Sequence, residues 1–208
     1  MKITNPLDNV LNSDNKIKIL RFMVMSKAEW NGRQISRELG GSPTTIHKAL
    51  QNLRDEGILS LNNIGNTYVY SLNLSNRILL DILIPLFEKE SKLLSDIIVL
   101  IKKGITASKI RESILSAGIF GSVKTGRDHA GSDIDIFVII ETYKERIVIE
   151  ELFESIGVNV TKEYGNVLSA YINTEKEFKS KYAKGLPVIK NIIKSHSIIY
   201  GKKLEDFI

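Results

Sequence analysis

The chain has 208 residues, 43% of them hydrophobic and 25% charged, with a formal net charge of +5 and no cysteine. That balance allows a packed core in one large or two small domains and excludes global disorder, and the basic excess suits a polyanionic partner. Disulfides and thiolate metal sites are excluded, and Asn5, Asp8, Asn9, Asn12 and Asp14 break any signal-peptide pattern, so a soluble, cytoplasmic protein is expected.

The first helix is predicted over residues 13–25, capped by Ser13 or Asp14. Ile17, Leu20 and Val24 follow helical spacing, and Ile19, Phe22, Met23 and Met25 widen the stripe. Residues 33–39 make a short second helix that Gly40-Gly41 stops. Ser42-Pro43 opens a third, with serine at the N-cap and proline at the first helical position. It runs to Arg54, before Gly57, with Ile46, Leu50 and Leu53 facing inward. Strands at 59–61 and 67–72 flank an Asn- and Gly-rich turn at 62–66.

Helix, short helix, longer helix and hairpin in this order resemble the winged helix-turn-helix family over residues 13–73. The resemblance implies a DNA-binding domain at 1–74, with helix 44–55 as the recognition helix and double-stranded DNA as partner. A polar helix face fits the major groove, and Thr44, Thr45, His47, Lys48, Gln51 and Arg54 are of types that reach base edges and phosphates. Asn63, in the wing, is placed for the adjacent minor groove or backbone. The same residues also suit a solvated helix face, and winged helices also bind proteins.

Residues 75–105 read as a helical linker, with a kink or break at Pro85 and an end at Gly104. Ile78, Leu79, Ile82, Leu83, Leu86, Leu93, Leu94, Ile97, Ile98 and Ile101 give it an apolar side too long for a lone helix to hide. Two readings stand: a connecting helix packed on both domains, or a homodimer interface. Asp81, Glu88, Lys89, Glu90, Lys92 and Asp96 exclude a membrane span.

From 106 to 208 the pattern is mixed. Strands are expected at 113–120, at Phe137–Ile140 continuing a strand that carries Asp133 and Asp135, at 158–160, at 167–172 and at 198–200. Helices are expected at 146–156, 175–182 and 188–194. Strand residues i and i+2 share a face, so Asp133 and Asp135 stand side by side. Two carboxylates that close repel unless a cation sits between them, and hard oxygen ligands suit Mg²⁺ (or Mn²⁺) with a nucleotide's phosphates.

Gly121-Ser122, Gly126 and Asp133-Ile134-Asp135, set between two apolar runs, resemble the DNA polymerase beta-like nucleotidyltransferase superfamily, and its minimal members above all. The fold class is therefore α+β: an N-terminal winged helix-turn-helix, a helical linker, and a C-terminal nucleotidyltransferase-fold mixed sheet with flanking helices. The resemblance implies that Asp133 and Asp135 hold the metal and serve catalysis on a nucleoside triphosphate. Gly121 admits the phosphates closely, Ser122 and Ser132 bind them, and Lys124 and Arg127 either neutralise their charge or are solvated loop charges. His129 is read as solvated. Active members carry a third carboxylate on a later strand, and here that strand offers only Ser169 or Tyr171; Glu163, Glu175 and Glu177 lie outside it.

The expected function is a DNA-binding regulator whose second domain binds Mg·NTP and transfers a nucleoside monophosphate to a hydroxyl. The alternatives are an inactive nucleotide-sensing regulator and an antitoxin-like nucleotidyltransferase acting on a partner protein.

Overall fold

The computed structural model describes residues 2–208, and packing separates the chain at Leu93–Leu94 into two units. The segment 75–105 is thereby divided, its first part folding with the N-terminal unit and its second with the C-terminal one. Among the described residues no helix is long and apolar enough to cross a membrane.

The first unit opens with a single helical turn, α1 (Leu7–Val10), followed by α2 (Asp14–Ser26). Ser13 caps α2, its hydroxyl accepting from the Lys16 amide at 3.4 Å. A two-residue strand absent from the sequence reading, β1 (Trp30–Asn31), precedes α3 (Gly32–Leu39). Asn31 and Gln34 form a reciprocal capping box at the start of α3, which satisfies two otherwise orphaned amides. Gly40 ends α3 with φ +61°, and α4 (Pro43–Asp55) follows. Ser42 does not cap α4 through its side chain; Thr45 Oγ1 instead donates to the Ser42 carbonyl at 2.9 Å.

Strands β2 (Leu59–Ile64) and β3 (Thr67–Leu72) pair around the two-residue turn Gly65-Asn66, in a sheet of order β1-β3-β2. The expected turn was longer because Asn62 and Asn63 read as loop residues; cross-strand pairing to Val69 and Tyr68 draws them into β2. Ile19, Leu20, Met23, Ile35, Ile46, Leu50, Leu53 and Leu79 form the core beneath. A π-helical turn at Leu79–Leu83 runs without a break into α5 (Ile84–Glu90), so the α-helical ladder is disturbed in the turn just before Pro85, which cannot donate its own bond. The helix is thus irregular at the proline, and the chain leaves helical structure at Ser91-Lys92.

The second unit begins at α6 (Leu93–Ala107), which runs through Gly104 instead of stopping there. A β-carbon on Gly104 would stand 2.6 Å from Ile156 Cγ1, so glycine serves close helix packing and not termination. Four strands follow: β4 (Ile114–Phe120), β5 (Ile134–Ile140), β6 (Leu168–Thr174) and β7 (His196–Gly201). Their order is β6-β5-β4-β7, with β5 and β6 parallel and the other pairs antiparallel.

A short helix, α7 (Gly121–Thr125), follows β4 directly, and α8 (Arg146–Tyr164) crosses from β5 to β6. The strand expected at 158–160 is the last part of α8. Val160 is wholly buried on the helix stripe begun by Ile149, Phe153 and Ile156, so the 3.6-residue period overrides local β-propensity. Helices α9 (Glu175–Ala183) and α10 (Pro187–Lys194) lie between β6 and β7.

Alternation along β5 divides the core in two. Ile134, Ile136, Val138 and Ile140 pack with α6 and α8. Phe137 and Ile139 pack on the opposite face with Phe178 of α9, Ile189 and Ile192 of α10, and the C-terminal Leu204 and Phe207. The fold is thus a mixed α+β architecture whose central strand is buried on both faces until it reaches its first residues.

Candidate functional site

Those first residues carry the two aspartates. Asp133 is exposed just before β5, and Asp135 is half-buried on the Phe137 face. Burial, and then the charge of Asp133, push the Asp135 carboxyl above the ordinary aspartate range. Burial is the larger cause, and the neighbouring carboxylate adds to it.

Register places Asp135 opposite Phe120 on β4 and opposite Ser169 on β6. Phe120 leads straight into Gly121, which turns the chain into α7 at φ +80°. A β-carbon on Gly121 would overlap Asp135 Oδ2 and stand 3.1 Å from its Cγ. Gly121 thus meets two needs at once, a left-handed backbone and contact with the carboxylate.

Ser122, half-buried, stands in the first turn of α7, where backbone amides have no partner within the helix. Lys124 lies on the same helix, half-buried, and Arg127 is exposed just beyond it, its amide donating to the Ser122 carbonyl at 3.0 Å. Among the described residues neither cation makes an ion pair. Ser132 is buried, and its hydroxyl accepts from the His129 amide at 3.0 Å. Asn166 donates to the Ser132 carbonyl at 3.2 Å, tying the loop to the entrance of β6. Asn166 had no sequence signal, since it lies far along the chain from the motif it supports.

Ser169 stands beside Asp135 on β6, and Tyr171 lies opposite Phe137. The acids flanking β6 are engaged elsewhere. Glu177 closes a capping box with Thr174 and pairs with Arg146 at 3.6 Å; its carboxyl is held low chiefly by the Thr174 amide. Glu175 pairs with Lys179 at 2.7 Å. Glu163 lies on α8, which covers the other face of the sheet. Among the described residues no three His, Asp or Glu side chains gather in a way that could hold a metal ion.

The family described as Polymerase beta, Nucleotidyltransferase matches residues 101–205, half of the 208-residue chain. The chain belongs to this nucleotidyltransferase family. The match spans β4 to β7 and therefore includes Gly121, Ser122 and both aspartates. Among curated proteins none matches. A solved structure described as "Crystal structure of the toxin-antitoxin with AMP-PNP" is similar at 14% identity, covering 50% of this chain and 77% of that one, with a TM-score of 0.32.

Outside the nucleotidyltransferase domain, α4 presents Thr44, Thr45, His47 and Lys48 to solvent, with Gln51 half-buried. Arg54 is exposed, but its guanidinium donates to the Asp55 carboxylate at 2.6 Å. Asn63 is exposed within β2, and the hairpin turn itself is Gly65-Asn66. A concavity of about 740 Å³ lies between the start of α4 and the hairpin. Arg33 and Tyr68 line it together with Thr44 and His47. Arg33 lies on α3 and Tyr68 on β3, outside the helix that carries the polar face.

Proposed function

We propose that the C-terminal domain binds a nucleoside triphosphate with Mg²⁺ and transfers its nucleoside monophosphate to a hydroxyl acceptor. The observation that carries this is the packing of the Asp135 carboxylate against Gly121, with Asp133 exposed on the same face. A raised carboxyl beside a second carboxylate is a donor set that a divalent cation relieves, and Mg²⁺ is commonly held by one or two carboxylates plus substrate phosphates. Asp133 and Asp135 would hold the ion. When bound it supplies charge neutralisation at the phosphates and Lewis acidity at the reacting phosphorus.

The chain's own residues do the rest. Gly121 lets the Asp135 carboxylate lie against the start of α7, Ser122 offers a hydroxyl and an amide, and Lys124 and Arg127 offset negative charge. The acceptor oxygen bonds to the α-phosphorus, the bond to pyrophosphate breaks, and the hydroxyl proton passes to solvent, since Ser169 supplies no carboxylate to take it. Calorimetric titration with each NTP and Mg²⁺ tests the site: tight binding to the wild type and none to Asp133→Ala/Asp135→Ala is expected, and equal binding by both would overturn it. Labelled-nucleotide transfer then separates an enzyme from a nucleotide sensor.

A second reading concerns the N-terminal unit. We infer a winged helix-turn-helix that binds double-stranded DNA through Thr44, Thr45, His47, Lys48 and Gln51 of α4, with the hairpin as wing. The exposed polar face of α4 beside the Arg33- and Tyr68-lined concavity supports it. Binding to the chain's own upstream DNA should weaken steeply with salt. Absence of salt-sensitive binding argues against this reading.

A further inference from the structure

One further side chain stands on the face that carries the aspartates, and no motif announces it. His196, the first residue of β7, lies opposite Phe120 in the register, and Phe120 lies opposite Asp135. Ser169, Asp135, Phe120 and His196 therefore form a single row across all four strands. Directly opposed residues of paired strands project to the same side. The His196 ring meets the Phe137 ring edge-on at 5.9 Å, and Phe137 follows Asp135 by two residues, which sets His196 on the aspartate face. Two strand spacings, roughly 10 Å, separate the backbones of His196 and Asp135. Phe120, between them, is the residue from which Gly121 and α7 depart.

The imidazole is already oriented. Its Nδ1 lies 2.9 Å from the Ile192 carbonyl oxygen. A carbonyl only accepts, so Nδ1 carries a proton and donates it to α10. The ring is half-buried, held by that bond and by Phe137, and Nε2 is the nitrogen left for a ligand. Among the described residues Nε2 has no hydrogen-bond partner.

We propose that His196 is a nucleotide-binding residue, its Nε2–H donating to a phosphate oxygen of the triphosphate on the side of Gly121–Ser122 away from Ser169. This rests on the nucleotide-site reading above. It makes the cradle two-sided: the aspartates on one side of Phe120, and an oriented imidazole ring on the other. Donation from Nε2 while Nδ1 donates to the Ile192 carbonyl places a proton on both ring nitrogens in the complex.

The test uses three variants of the full chain, titrated by calorimetry with Mg·ATP and with Mg·pyrophosphate. Asn carries an amide where Nδ1 stands, so His196→Asn keeps the bond to Ile192 and loses Nε2. Gln carries an amide where Nε2 stands, so His196→Gln keeps the phosphate donor and loses the bond to Ile192. Phosphate contact predicts that His196→Asn weakens both ligands about tenfold or more, the loss of one charge-assisted hydrogen bond, while His196→Gln recovers much of it. A merely structural histidine predicts the reverse order, and that order would overturn the proposal. Asp135→Ala is the control. If it abolishes binding while His196→Asn leaves both affinities unchanged, only the histidine assignment fails. If Asp135→Ala also binds normally, or the wild type binds neither ligand, the site reading fails and the histidine assignment with it.

Discussion

Gly121 and Asp135 are built as one unit: the carboxylate rests where a β-carbon of residue 121 would be, and the backbone there has φ +80°. Gly121→Ala therefore meets both a strained backbone and a collision with the acid. The substitution should cost about 1–3 kcal/mol of stability and displace Asp135. Nucleotide affinity should fall further than the loss of stability accounts for, and melting curves with and without Mg·ATP check both expectations.

Asp135 also makes the stability of the ligand-free protein depend on pH. Burial and the charge of Asp133 hold its carboxyl above the ordinary aspartate range. Between the unfolded value, about 3.9, and the raised folded value, the native chain keeps a proton that the unfolded chain has released. The stabilisation is complete below that window and is lost as pH rises through it. Asp135→Asn removes this contribution. Denaturant titrations from acid to neutral pH should show the wild type losing stability that the variant keeps, while the variant loses Mg·NTP binding.

Ser169 stands in register with Asp135, so an acid placed there would complete a three-carboxylate set. Ser169→Asp is expected to raise Mg²⁺-dependent nucleotide affinity or transfer rate. It should also lower stability without metal, because a third like charge joins the face. Calorimetry and transfer assays on the same preparation check the pair of outcomes.

Gly118 lies at the centre of the sheet, where a β-carbon would stand 2.6 Å from the Phe137 ring and 2.6 Å from the Ser197 carbonyl oxygen. Backbone of a paired strand cannot easily move aside. Gly118→Ala should destabilise the chain by about 2–3 kcal/mol through overpacking. It should also push apart β4, β5 and β7, and chemical denaturation measures the effect.

In the N-terminal unit, Lys48→Ala should weaken DNA binding across sequences and reduce the slope of log affinity against log salt by roughly one. Gln51→Ala, which removes no charge, should weaken binding and leave that slope unchanged. Neither should alter Mg·NTP binding.

Much of the architecture follows from short-range pattern. Apolar spacing, the Ser13 cap and the Gly40-Gly41 stop mark α2, α3 and α4 in the sequence, and alternating or continuous apolar runs mark the strands that hold the site. Errors arose where packing between distant segments decides. Gly104 reads as a stop, yet Ile156 needs its missing side chain; residues 158–160 read as a strand, yet α8 needs their apolar stripe. The Gly-Ser and Asp-x-Asp elements are local in sequence, and so the two aspartates and their family likeness were legible from residues alone. That Asp135 lies against Gly121 and across from Ser169 is a matter of register between strands, which no local period encodes. His196 belongs to the same kind of fact. It lies 61 positions beyond Asp135, in a chain whose β7 inserts beside β4, and only sheet order brings the two into one row.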